Sequence, residues 1–199
     1  MKVADEDGTR RSYRQSARAE SAAATGERIL DAAIALFWEH PSERVSLEEI
    51  ASRAGVSAQT VIRRFGGKDG LFAAAAAREA QRVRAQRDEA PVGDVPGAVR
   101  VLVEHYEMLG DRVLKLLADE ATLPEIAVIA ERGRGLHREW CERVFAPTLT
   151  GLRGVERTRR LAQLIAICDV YTWKLLRRDA RLSRRQTELA LTEMLTPLV

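Results

Sequence analysis

The chain has 199 residues, 46% hydrophobic and 5% aromatic, with a formal net charge of +3, which suits one domain or a small domain joined to a larger one. No apolar stretch reaches the about 18 residues of a membrane span, and the polar, charged start predicts no secretory leader. Two cysteines, Cys141 and Cys168, lie far apart in apolar stretches, so a disulfide framework is not expected and a reducing cytoplasm is the predicted setting.

The basic residues are 28 arginines against 4 lysines, with no asparagine, a bias that reflects coding composition more simply than chemistry. Residues 1–24 are predicted to be a disordered basic arm, Ser/Ala/Glu-rich and carrying Arg10, Arg11, Arg14 and Arg18. Such an arm can follow a duplex backbone or have no role. A first helix is predicted from about Gly26 to Glu39, capped by Thr25. Its stripe is Ile29, Leu30, Ala33, Leu36 and Phe37, and Pro41 stops it. Ser46-Leu47-Glu48-Glu49 reads as a capping box opening a second helix. Ile50, Ala51 and Ala54 share one face of that helix, and Gly55 sits where a tight turn needs positive φ. Ser57 then caps a short third helix, Ala58 to Phe65, with Val56 and Val61 closing the small core. This is the spacing of a helix-turn-helix. Its second helix carries Gln59, Thr60, Arg63 and Arg64, able to reach base edges and phosphates. Residues 27–80 are nearly balanced in charge, but 57–68 hold three cations and no acid.

Gly66-Gly67 precede a long fourth helix predicted from near Lys68 to about Glu89, before Pro91, Gly93 and Pro96. Val99, Leu102, Val103, Tyr106 and Leu109 mark a fifth helix, and Val113, Leu114 and Leu117 a shorter sixth. Pro124 suits the first turn of a seventh, whose face includes Ile126, Ile129, Leu136, Trp140 and Val144. An eighth helix spans about 156–178 with Leu161, Leu164, Ile165, Cys168, Tyr171, Thr172 and Leu175. Ser183 to Gln186 open a ninth with Thr187, Ala190, Leu191, Met194, Leu195 and Leu198. The predicted fold class is all-α with about nine helices. An N-terminal three-helix domain with the helix-turn-helix is predicted over 25–68, and a larger helical domain over 69–199, for which the resemblance described below implies ligand binding and dimerisation.

Tyr106, Met108, His137, Trp140 and Phe145 are candidates to line an apolar pocket with a few polar groups, and each can equally be plain core. His137 and Cys141 stand four apart on one helical face, but two ligands make no zinc site. No CxxC or HExxH accompanies them, so no metal and no cofactor are expected. GxSxG, a phosphate-binding glycine loop and paired carboxylates are missing from the sequence, so no catalytic residues are assigned and an enzyme is not expected.

The run RILDAAIALF followed by SLEEIASRAGVSAQTVIRRFGGKDGLF resembles the tetracycline-repressor (TetR) family of bacterial transcription regulators over residues 26–72. DVYTWKLLRRD at 169–179 is similar to one subgroup's C-terminal half. The resemblance implies a homodimer whose recognition helices enter successive major grooves of a pseudo-palindromic operator. It implies dimerisation through the last two long helices, the eighth and ninth. It also implies a small-molecule pocket between the fourth and seventh, whose filling swings the fourth helix and releases DNA. Carried over by position, Ala58, Gln59, Thr60 and Arg63 face bases, Arg63 matching guanine and Gln59 adenine. Ser46, Thr60, Arg64 and Lys68 fall at phosphate-contacting positions, Lys68 at a helix N-terminus. Three positions depart from the family pattern: Ile62 where tyrosine is usual, Arg64 where histidine is usual, and Pro41 in place of glycine.

The predicted function is therefore a sequence-specific transcriptional regulator, a ligand-responsive repressor that binds double-stranded operator DNA and an unknown small-molecule effector. The alternative is a helical protein-interaction module with a degenerate helix-turn-helix, motivated by Ile62 and the near-neutral charge of 27–80.

Overall fold

A computed structural model describes residues 6–40 and 44–199, with side chains from Ala19 onward except at position 125. Every regular element among the described residues is helical: α1 Glu6–Glu39, α2 Leu47–Ala54, α3 Ala58–Phe65, α4 Lys68–Asp88, α5 Val95–Asp119, α6 Pro124–Val144, α7 Ala146–Leu149, α8 Gly154–Ile167, α9 Val170–Lys174 and α10 Arg184–Leu195. A π-turn follows α9 at Leu175–Asp179, and a 3₁₀ turn closes the chain at Thr196–Leu198. Two compact units divide the chain at Glu79/Ala80, within α4.

The first unit is a small three-helix core. Ile29, Ala32, Ala33 and Leu36 of α1 pack with Ile50, Ala51 and Ala54 of α2, Val61 of α3 and Leu71 of α4. Burying each large aliphatic side chain contributes about 1.5–3 kcal/mol. Two predicted features of α1 are corrected. The helix starts at Glu6, so residues 6–24 are helical where a disordered arm is expected, because 10–25 contain neither proline nor glycine and are rich in helix-forming Ala, Arg, Glu and Gln. Thr25 is consequently inside the helix, its hydroxyl donating to the Ser21 carbonyl at 2.9 Å rather than capping. The stop assigned to Pro41 lies outside the described residues.

The second unit holds a larger core from α5, α6, α8, α9 and α10, built around Leu102, Tyr106, Trp140, Leu161, Leu164, Trp173 and Leu195. Its helices differ from expectation at two seams. The predicted fifth and sixth helices are one continuous α5, since Gly110 faces the Trp173 ring inside the helix and does not end it. The predicted eighth helix is broken at Cys168, the C-cap of α8, and Asp169, whose carboxylate accepts the Tyr171 amide at 2.9 Å to start α9. Arg177 and Arg178 turn back onto α5. Arg177 forks onto Glu107 at 2.9 and 3.2 Å, and Arg178 onto Asp111 at 3.0 and 2.9 Å. At α10 the box is complete: Ser183 accepts the Gln186 amide and Gln186 accepts the Ser183 amide, both at 3.2 Å.

Candidate nucleic-acid interface and the second-unit core

Ser46 is the N-cap of α2, its hydroxyl accepting the Glu49 amide at 3.1 Å. The helix ends at Gly55, in the left-handed region at φ 67°, where a side chain would be strained. Two residues later Ser57 caps α3 by accepting the Thr60 amide at 3.2 Å. This αL residue followed at once by a new cap sets the sharp turn between the helices. Val61 is the fully buried anchor of α3, so the opposite side of a helix only eight residues long must face out.

That outward side holds Gln59, Ile62, Arg63 and Arg64, all exposed, while Ala58, Thr60 and Lys68 are half-buried. Thr60 is already engaged, its hydroxyl 2.9 Å from that of Ser57. Ser46 is exposed and can meet a phosphate while it caps. Charge is sorted by pairing. Glu39 is held by Arg53 through two contacts at 2.6 and 2.8 Å, while Arg78 takes Glu27 at 2.9 Å and Asp31 at 2.6 Å. Among the described residues no carboxylate pairs with Arg63, Arg64 or Lys68, which leaves α3 and the start of α4 with free cations suited to phosphate. Arg64 is steered by α1. A Cβ on Gly26 would stand 2.4 Å from its guanidinium, so the glycine gives this side chain its berth. Sequence reading missed that contact, although a glycine in mid-helix, which weakens a helix relative to alanine, is the signal that can reveal it.

The five candidate pocket residues separate. Tyr106, His137, Trp140 and Phe145 are buried in the second-unit core, but Met108 is 56% exposed and does not join them. The polar atoms of the first three are satisfied internally: Tyr106 donates to the Cys168 carbonyl at 3.0 Å and Trp140 to the Arg87 carbonyl at 2.9 Å. Phe145 also lines a shallow cleft of about 320 Å³ with Gly93, Val95, Pro147, Thr148 and Val199.

Arg87, from the end of α4, is the functional-looking residue that sequence reading passed over. It is only 6% exposed, and its guanidinium lies 4.5 Å above the Trp140 ring and 5.9 Å from that of Tyr106. Its Nη2 is 2.9 Å from His137 Nδ1. Guanidinium only donates, so Nδ1 accepts, and the imidazole hydrogen sits on Nε2. That hydrogen is shared between the Ile165 carbonyl at 3.2 Å and Cys141 Sγ at 3.9 Å. The neighbouring His105 meets Gln86 Oε1 at 3.0 Å, and burial, with help from the Arg87 charge, holds it down at about 3 and therefore neutral. Among the described residues no group of three or more His, Cys, Asp or Glu is arranged to hold a metal ion, and no helix is long and apolar enough to cross a membrane.

Residues 29–75 match the model of the family described as "Bacterial regulatory proteins, tetR family". No curated protein matches the chain. Among solved structures, a transcriptional regulator from Rhodococcus sp. Rha1 is similar at 25% identity, over 87% of this chain and 95% of that one, with a TM-score of 0.63. The SmeT–triclosan complex is similar at 24% identity, over 87% and 91%, with a TM-score of 0.63. A further regulator, from Pseudomonas aeruginosa PAO1, shares the fold at 18% identity, over 87% and 89%, with a TM-score of 0.66.

Proposed function

We propose that this member of the tetR family of bacterial regulatory proteins, a DNA-binding regulator of transcription and not an enzyme, is a homodimeric, ligand-responsive repressor of a pseudo-palindromic operator. The observation that carries the reading is the outward side of α3, where Gln59 and Arg63 stand exposed beside Arg64 and Lys68, which pair with no carboxylate among the described residues, with Val61 anchoring the helix from behind. Arg63 donates bidentately to guanine and Gln59 exchanges hydrogen bonds with adenine, with Ala58 and Thr60 against neighbouring base edges. Ser46, Thr60, Arg64 and Lys68 hold phosphates and set the register. Ile62, exposed on the same helix, supplies no hydroxyl, and Arg64 replaces that contact with a charge.

Selection of bound sequences from a random duplex pool tests this directly, because it reads DNA binding, half-site spacing and two-fold symmetry together. Arg63→Ala is expected to cost about 1–3 kcal/mol and to relax preference at one position of each half-site. Unchanged affinity and preference would remove Arg63 from the reading set. Lys68→Ala is expected to weaken all sequences alike and to lower the salt slope by about 1. An interaction module with a degenerate helix-turn-helix would bind duplex weakly and without discrimination.

The effector acts through the second unit. Gln86 and Arg87, at the end of α4, bond to His105 and His137, and only Gly66 and Gly67 separate α3 from α4. A small molecule that repacks Tyr106, His137, Trp140 or Phe145 therefore moves the helix that follows the reading head. The similarity to a SmeT–triclosan complex supports an apolar compound as the class to screen. A compound that raises the melting temperature should also release operator; stabilisers that all leave binding intact would refute induction.

A further inference from the structure

Gly26 stands inside α1, with no positive φ to require a glycine there, and a glycine inside a helix weakens it relative to alanine. What the missing side chain makes room for belongs to another helix. The three atoms nearest to a Cβ built at Gly26 are Nη2, Nε and Cζ of Arg64, at 2.4, 2.5 and 2.7 Å. One guanidinium therefore fills the space that any larger residue would take. Gly26 is buried, while Arg64 remains exposed and pairs with no carboxylate among the described residues. We propose that Gly26 is a positioning residue for DNA binding. It seats the Arg64 guanidinium against α1, so that α3 meets the duplex with this cation already turned toward the backbone phosphate on its α1 side. The inference rests on the phosphate contact proposed for Arg64 and says what aims it.

The surroundings decide which partner yields when the space is filled. At this turn α1 is fixed. Ile29 and Ala33 of the same helix are fully buried, and Arg78 of α4 donates to the Glu27 carbonyl at 3.2 Å, to the Glu27 carboxylate at 2.9 Å and to Asp31 at 2.6 Å. Arg64, by contrast, meets Gly26 with only the far end of a flexible side chain. A methyl group at position 26 thus evicts the guanidinium and leaves the helices in place. The seat brings two gains to a reading helix. Arg63 and Arg64 are consecutive, about 100° apart around α3, and two guanidinium groups reaching into one groove repel each other; with Arg64 held to α1, Arg63 has the groove to itself. A side chain ordered before contact also loses less freedom on binding than one the phosphate must immobilise.

The test measures melting temperature and DNA affinity of the full-length protein, the probe being the duplex that the wild type selects from a random pool. Gly26→Ala is expected to raise the melting temperature, because alanine favours the helix and Arg64 swings clear. Its affinity is expected to fall about two- to tenfold, the cost of immobilising one long side chain at the interface. Arg64→Ala should lose at least as much and lower the salt slope by about 1. In the double variant, affinity should equal that of Arg64→Ala alone, since an empty seat has nothing to position. A glycine with a merely structural role gives instead a lower melting temperature and a loss that persists without Arg64. Either of those results, or Gly26→Ala binding as tightly as the wild type or tighter, would overturn the proposal. Arg64→Ala with unchanged affinity and salt slope would overturn the phosphate contact and the seat together, leaving the reading of Arg63 untouched.

Discussion

His105 and Gly110 sit about 1.4 helical turns apart on α5 and make opposite demands on their surroundings. His105 needs to stay uncharged. Its folded value near 3 lies below the ordinary 6.5, so its contribution to stability is fully present above about pH 6.5 and is lost as the pH falls toward 3. Through that window the unfolded chain takes up a proton the native chain refuses, which costs about 1.4 kcal/mol per pH unit. Urea midpoints measured across pH 3–6.5 should therefore fall less steeply in His105→Gln than in the wild type; an equal slope would refute the assignment. Gly110 needs to stay bare. A Cβ there would stand 2.5 Å from the Trp173 ring, and Trp173 is fully buried with nowhere to retreat. Gly110→Ala is expected to destabilise by about 1–3 kcal/mol despite its better helix propensity, measured as a lowered denaturant midpoint.

At the scale of elements, α3 depends on its cap more than a longer helix would, since it has eight residues and one buried anchor. Ser57→Ala removes the acceptor for the Thr60 amide and the partner of the Thr60 hydroxyl together. A loss of about 1 kcal/mol is expected, seen as a lower melting temperature and, under the proposed function, weaker operator binding. Local signals of this kind made the first unit legible: Ser46, Gly55, Ser57 and Val61 act within a few residues of where they stand. The break at Cys168–Asp169 was not legible, because Leu161, Leu164, Cys168, Tyr171 and Leu175 keep helical spacing straight through it. The continuous α5 was missed for the converse reason. Gly110 lies between the two apolar sets that were divided into separate helices, and its place inside one helix is explained only by Trp173, distant in sequence, which lies against it. Arg87 escaped as well, since a charged residue at a helix end reads as solvated and only tertiary packing turns it inward.

For the whole molecule, homodimer formation and DNA binding can be read independently. Tyr171, Leu175, Leu189 and Met194, at the helices proposed to pair, are exposed in the single chain, more apolar surface than scattered residues need. Covering them in a dimer makes the melting temperature rise with protein concentration; a value constant over a hundredfold dilution would indicate a monomer. If each half-site engages Arg63, Arg64 and Lys68, operator affinity should fall steeply between low and physiological salt. A flat salt response would instead favour the protein-interaction reading.

The indole environments of the second unit give it an optical signature of its own. Trp140 and Trp173 are both buried there, each with a guanidinium 4.5 Å above its ring, Arg87 over one and Arg178 over the other. The third tryptophan, Trp38, belongs to α1 in the first unit. With Trp38→Phe, the remaining intrinsic fluorescence comes from the second unit alone, blue-shifted while the core is dry and moving to the red when water enters. Effector titration and unfolding of that unit could then be followed by emission wavelength, with no dye and no signal from the first unit.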